Sequence, residues 1–509
     1  MKKLISLFLF CGFISTGFSQ EVIYHVFQRS FFDSNGDGHG DLKGMQVKLD
    51  YLQELGVTSI LLTPLYQSEF YHNYFATDFE KIDQEYGSME DYLALVKEVH
   101  KRGMKIYQDV EMQYVTHEHP WYMGSINHPE SPYSKYIYYD DTLNQKPFFF
   151  YNVPEFTMYD NSKQKIVVVK MNEPAVLQYT FDVLNFWVDP NKDGKFDDGV
   201  DGFRLDHMMD DLDNFKKLPN LFKNFWTPLL TDLKKNNPKL IIIAEQANWF
   251  SLGHEYFREA NVDRVFAFHL SWAIEKMDKK ELLKAADSTL TKNPKGHDQI
   301  VFVENHDTRR LASVNGMTTP KLKTAAALNL LLGGVPLLYY GQELGMKGKQ
   351  MKGTTDGNDI AIREAFEWNA TATGAGMAFW YTNTGPWWDS TNVKPNDGIS
   401  VEEQKRDPNS LWNYYRKMIQ LKKSSKALAS GQYSAVENNN EKIFSFLRST
   451  GKDQVLVVVN LGDGIEETTI KVNAKSGKNL LKGEIQKFDS AGFLVRLQPY
   501  EVQVYQLKN

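Results

Sequence analysis

A single cysteine, Cys11, occurs in 509 residues. One thiol cannot pair within its own chain, so a disulfide framework is excluded. Basic blocks are also missing. Lys and Arg number 58 against 64 acids, a net charge of -6, and without a polybasic stretch nucleic acid is not an expected partner. Beyond the first twenty residues no apolar run is long enough to span a bilayer. No solenoid repeat and no low-complexity tract is present. Those first twenty residues stand apart. Lys2 and Lys3, an apolar run over 4–13 and small residues up to Gln20 have the layout of a secretory signal peptide. Cys11 lies inside it, and Phe10 is not the small residue that lipid attachment wants before its cysteine. A cysteine-free mature chain, exported to the periplasm or beyond and without a membrane anchor after signal cleavage, is therefore expected.

What the chain has in plenty is aromatic residues, 13% of the total. They suit either a large core or surfaces that stack on sugar rings. Short β-branched apolar runs at 22–28, 59–66, 105–111, 202–206, 240–246, 264–268, 299–305 and 336–343 read as buried parallel strands, each followed by a turn and a helix-like stretch. The helix before the third strand opens on a capping box at Ser88 and Asp91 and stops at Gly103. Eight such units predict an α/β fold, a (β/α)8 TIM barrel, over 21–111 and 173–428. Residues 112–172, rich in Tyr, Phe, Pro and Asn, are too long for a plain loop and predict a subdomain inserted after strand 3. After a last helix over 411–428, short strands such as 442–448, 455–460 and 501–507 predict a C-terminal antiparallel β-sandwich domain over 429–509.

Three acids stand where a barrel puts its chemistry, at the C-terminal ends of strands: Asp206 in G-F-R-L-D, Glu245 in I-I-I-A-E-Q and Asp307 in V-F-V-E-N-H-D. Each alone could be a salt bridge to Arg204 or a helix cap. Together they match glycoside hydrolysis, in which one carboxylate attacks the anomeric carbon and a protonated second one donates to the leaving oxygen. Arg204, on the same strand face as Asp206, would hold that nucleophile ionised.

G-F-R-L-D, A-E at 244–245 and E-N-H-D at 304–307 resemble, in order and spacing, the signature regions of the α-amylase family, the family 13 glycoside hydrolases. The resemblance covers almost the whole mature chain. It implies a retaining mechanism with Asp206 as nucleophile, Glu245 as acid/base and Asp307 as the carboxylate that stabilises the distorted sugar. It also implies sugar contacts from Arg204, His306 and Tyr74, the last stacking on the ring, with His72, Phe75 and Tyr114 as further substrate residues. The first signature departs from the family pattern D-x-x-x-N-H. In D-V-E-M-Q-Y, Gln113 replaces the asparagine and Tyr114 the histidine. Met209 and Asp210 replace a Lys-His pair that contacts the leaving-group sugar, Lys170 replaces an aspartate, and Phe75 stands where many exo-acting relatives have aspartate. The implied substrate is an α-glucan oligosaccharide or polysaccharide cleaved at α-1,4 bonds, as in starch fragments or maltodextrins. A glucanotransferase or trehalose synthase-like enzyme of the same family is the alternative, and a non-catalytic glucan-binding protein a more distant one.

Two loops share the pattern D-x-N-x-D-G-x-x-D, at 33–41 and 189–197. Alternating oxygen ligands around a glycine suit a hard cation such as Ca2+, in a structural role. Position twelve is Gly44 in one and Val200 in the other, so neither is an EF-hand. The first loop resembles the calcium loop after strand 1 in amylase relatives. That likeness implies Asp33, Asn35, Asp37 and Asp41 by side chain and His39 by its carbonyl. The second would bind similarly through Asp189, Asn191, Asp193 and Asp197, with Lys195 by its carbonyl. Asx-rich turns without an ion are the alternative.

Overall fold

The structure is a computed structural model that describes residues 21–489 and 492–508. The leader assigned to 1–20, with Cys11, lies outside the described residues. Eight parallel strands close into a barrel: β1 (Ile23–Val26), β2 (Ser59–Leu62), β3 (Lys105–Val110), β4 (Gly202–Met208), β5 (Ile241–Gln246), β6 (Arg264–Phe266), β7 (Asp298–Val301) and β8 (Val335–Tyr339). All eight fall within or across the predicted runs. The runs overshoot at several ends, as at β7, where Phe302 to Asn305 leave the ladder yet stay buried. Apolarity marks burial, and loops folded over the barrel rim are buried too.

Alternate residues point inward along each strand. Ile23, Leu61, Tyr107, Ile243, Ile300 and Leu337 form one cluster inside the barrel, while their neighbours pack outward against the helices. One layer further toward the C-terminal ends, the inward row turns polar: Asp109, Arg204, Glu245 and His25 are all buried there. The helix Met89–Lys101 starts with the expected capping box between Ser88 and Asp91. The helix expected over 411–428 is broken. Leu411–Ser424 ends and Lys426–Ser430 begins because the Ser425 hydroxyl accepts from the Leu428 N–H, making a fresh N-cap.

The insertion after β3 is built on an antiparallel pair, Tyr114–Thr116 with Ile166–Val168, and lays Phe150 and Tyr151 over the barrel mouth. The C-terminal region is a six-stranded antiparallel sheet facing a two-stranded one. Leu456, Val458, Ile470, Phe493, Val495 and Leu497 fill the space between them. Val455, Val457 and Val459, on the other face of the strand Asp453–Asn460, pack toward the barrel, which explains why that strand is apolar without alternation.

Candidate active site

Arg204 organises the polar layer. In the ladder it lies opposite Asp109 of β3 and Ile243 of β5, so Asp206 and Glu245, two residues further along their strands, rise together at the rim. Its Nη1 donates to both oxygens of Asp109 at 2.8 Å and to Asp206, and its Nη2 donates to Glu245 Oε2 at 2.7 Å. One buried guanidinium therefore serves three carboxyl groups, and three ionised acids around a single cation are unstable away from water. Protons relieve the imbalance. Burial, opposed by Arg204, pushes Asp109 up to about 6. Burial also pushes Glu245 up to about 8, reinforced by Asp206 and Asp307. Asp206 is raised by burial against the pull of Arg204, yet 18% of its side chain opens to the cavity. At neutral pH Glu245 thus carries a proton and can give it away.

The β4–β5 register breaks between Leu205 and Met208, and His207 there has φ 46°. A left-handed conformation without glycine costs roughly 1–3 kcal/mol and is retained where it aims a group. Here it turns His207 into the cavity, with its N–H 3.3 Å from Glu245 Oε2 and its Nε2 3.1 Å from the Tyr151 hydroxyl.

Opposite, Tyr74 and His306 stack at 5.4 Å and 14°. The Tyr74 hydroxyl donates to Asp109 at 2.8 Å and meets His306 Nε2 at 2.6 Å, which places the His306 proton on Nε2. Burial and the nearby Arg204 keep His306 far below its usual pKa, hence neutral. Asp307 lies 3.1 Å from His306 Nε2 and accepts from Arg363 at 3.1 Å.

The cavity, about 440 Å³, thus brings together Asp206, Glu245, Asp307, Tyr74, His72, Phe75 and His306 of the expected residues, with Arg204 beneath them. Tyr114 does not line it. That residue is fully buried, and its hydroxyl donates to Asp213 at 2.6 Å. Met209 is buried, and Asp210 accepts from the Phe222 N–H at 2.8 Å, so both are committed to the fold beside the site. Residues that sequence reasoning missed complete the lining: Phe150, Tyr151, His207, Ala247, Trp249, Asp356, Asp359 and Arg363. His207, Ala247 and Trp249 adjoin a recognised motif; the others come from the insertion and the segment after β8, which carry none.

The two aspartate-rich loops lie outside the cavity lining. Their donor sets are those of a hard cation, but the carboxylates already accept from their own backbone. Asp33 takes Gly36 and Gly38 N–H groups, and Asp41 takes those of Ser34 and Gly44. Asp189 takes Asp193 and Gly194, and the Lys195 ammonium pairs with Asp193 at 2.8 Å. Among the described residues no three acids or histidines converge as a preformed metal cage. Each carboxylate has about four lone-pair sites, so it can accept these N–H groups and still offer an oxygen to a cation.

The charge pattern sets a pH profile. Below about 8 Glu245 keeps its proton; as pH rises through about 8 the proton is lost and kcat/KM should fall. The acid limb requires an ionised Asp206, whose pKa is raised, so it should lie above the ordinary aspartate range. Because the two carboxyls interact, both limbs belong to the pair. An alkaline limb that survives in Glu245→Gln would contradict this assignment.

The Alpha-amylase family model, "Alpha amylase, catalytic domain", matches residues 25–431. Alpha-amylase 3 of Dictyoglomus thermophilum is 28% identical over 482 residues, covering 92% of this chain and 90% of the relative. Trehalose synthase/amylase TreS of Mycobacterium tuberculosis is 28% identical, with 88% of this chain and 82% of the relative covered. The solved alpha-amylase from H. orenii superposes with a TM-score of 0.78 at 25% identity, covering 96% of this chain and 99% of that one. With the family match spanning the barrel that carries Asp206, Glu245 and Asp307, this chain belongs to the alpha-amylase family of glycoside hydrolases.

Proposed function

We propose that the protein is a retaining α-glucan hydrolase that cleaves α-1,4 bonds of starch fragments or maltodextrins. The observation that carries this reading is the pair of carboxyls at the rim, Asp206 and Glu245, joined by Arg204, with burial raising Glu245 so that it suits the acid role. In the first step an Asp206 oxygen bonds to the anomeric carbon while the glycosidic bond breaks, and Glu245 gives its proton to the departing oxygen. In the second, water attacks that carbon, Glu245 takes the water proton, and the electron pair of the broken ester returns to Asp206. Tyr74 offers a ring face to the sugar in the cavity, and Asp307 and Arg363 offer polar contacts to its hydroxyls. Phe250, 77% exposed beside Trp272 and next in sequence to Trp249, extends an aromatic surface outward from Glu245, as a longer glucan requires.

A second reading is transfer to a sugar in place of water, as in a trehalose synthase-like enzyme. What favours it is the altered leaving-group side, where His207, Tyr151 and Trp249 face the cavity while Met209 and Asp210 are engaged elsewhere. Product analysis on starch, maltohexaose, maltose and pullulan tests both. Shorter oligomers with new reducing ends support hydrolysis. Longer chains or trehalose, without net reducing-end gain, would sink it in favour of transfer.

Export by the leader at 1–20 and structural Ca2+ at the first aspartate loop are part of the same proposal. With the loop already closed by its own hydrogen bonds, the ion adds stability and leaves the chemistry alone. A chelator should lower the unfolding temperature by a few degrees, with recovery on adding Ca2+, and change kcat little at assay temperature. An unfolding temperature indifferent to chelator would refute the ion.

A further inference from the structure

We propose that Glu111 is a positioning residue for the nucleophile: its carboxyl retains its proton and donates it in a hydrogen bond to the Asp206 carboxylate. This rests on the retaining reading above. The ladder places it there. Asp109 of β3 pairs in register with Arg204 of β4, and Val110 with Leu205, so one step further Glu111 comes beside Asp206. By the two-residue period Glu111 shares the inward row of Asp109. Its side chain is 1% exposed and lies within hydrogen-bond reach of the Asp206 carboxyl. Two carboxyl groups can hydrogen-bond only when one of them is protonated. Asp206 has Arg204 to hold its charge, whereas Glu111 receives neutral donors. The Gln113 N–H reaches its Oε1 at 2.5 Å and Gln113 Nε2 its Oε2 at 3.2 Å. The same Nε2 contacts the Asp206 carbonyl at 3.3 Å and that of His207 at 2.9 Å, tying Glu111 to the bulged end of β4. The groups next to Glu111 are Asp206 from the neighbouring β4 and Tyr114, whose hydroxyl is held by Asp213; its own strand contributes Asp109, already paired to Arg204. Burial and Asp206 both raise the Glu111 pKa well above the usual range, in agreement with a neutral acid.

The chemical consequence follows from charge. Asp206 is an anion before attack and an ester afterwards, and an anion accepts the Glu111 hydrogen bond more strongly than an ester does. Glu111 therefore favours departure of Asp206 from the sugar and keeps the glucosyl-enzyme from accumulating. It also supports ionisation of Asp206 in the free enzyme.

The test uses the full chain with α-maltosyl fluoride, in which fluoride leaves as the Asp206–carbon bond forms and water later releases the sugar. Glu111→Leu removes the donor. Hydrogen bonds to charged groups are worth enough that release of the sugar should slow by about tenfold to hundredfold. Covalent enzyme should then build up in intact-mass spectra, and the acid limb of kcat/KM should move to higher pH. Glu111→Gln, whose amide N–H can replace the donor, should recover most of the rate, show little covalent enzyme and keep the acid limb in place. Should the leucine variant fail to fold, the acid limb of Glu111→Gln decides alone: movement to lower pH means that Glu111 was an anion beside Asp206, and overturns the proposal. Equal losses in both variants, with unmoved acid limbs and no trapped intermediate, also overturn it and leave the retaining reading intact. A wild-type product of inverted configuration sinks both.

Discussion

Asp206→Asn is expected to reduce turnover of α-glucans by on the order of 10^5-fold, because it deletes the atom that bonds to the sugar while preserving the shape of the site. Arg204, Asp109 and Glu245 keep their mutual contacts, so the variant should unfold at close to the wild-type temperature. The residual activity should also show a displaced alkaline limb. The Asp206 charge is one of the causes that raise Glu245, so its removal makes Glu245 ionise at lower pH. In Asp206→Gly the space left behind admits a small anion. Azide with an activated α-glucosyl donor should then give a β-glucosyl azide, since the anion attacks from the face that Asp206 occupied. Full activity in Asp206→Asn, or an azide product of α configuration, would remove Asp206 from the role of nucleophile.

Arg204→Ala carries the second large effect, on stability as well as rate. It leaves Asp109, Asp206 and Glu245 together at the end of the barrel with no cation between them. Deleting one partner of a buried ion pair typically costs about 3–5 kcal/mol. The loss should depend on pH in a defined direction. Without Arg204 the folded-state pKa values of these acids rise further above their unfolded values. Their protonated forms are tolerated below the unfolded pKa, and stability is lost as pH rises. The deficit against wild type, read by urea denaturation, should therefore be larger at pH 7 than at pH 5. Arg204→Lys restores one charge but not the fork that reaches Asp109 and Asp206 with one nitrogen and Glu245 with the other. It should recover much of the stability and leave the rate about 10^2-fold down, the scale of an ångström of misplacement. A lysine variant as active as wild type would show that the fork is dispensable.

Sequence pattern alone reached the eight barrel strands, the insertion, the C-terminal strands and the three acids, since each is written locally. Buried parallel strands are runs of β-branched residues, and a charged group directly after such a run announces a rim. The break at Ser425 was less visible, because the apolar stripe of the helix runs on through it while one hydroxyl decides the cap. His207 and Tyr114 show the same limit at the site. By motif position Tyr114 belongs with the sugar contacts, and nothing in the motif marks His207. A bulge with φ 46° turns His207 into the cavity, and a hydrogen bond to Asp213 holds Tyr114 in the wall. Arg363 and Asp356 have no motif at all and reach the cavity from 56 and 49 residues beyond Asp307, by way of the loop after β8. What the sequence by itself determined is the barrel and the identity of the acids, because period and burial are properties of short stretches. What only the tertiary structure decided is which acid holds the proton. That depends on one guanidinium shared among Asp109, Asp206 and Glu245, residues far apart in the chain whose charges compete only once the barrel closes.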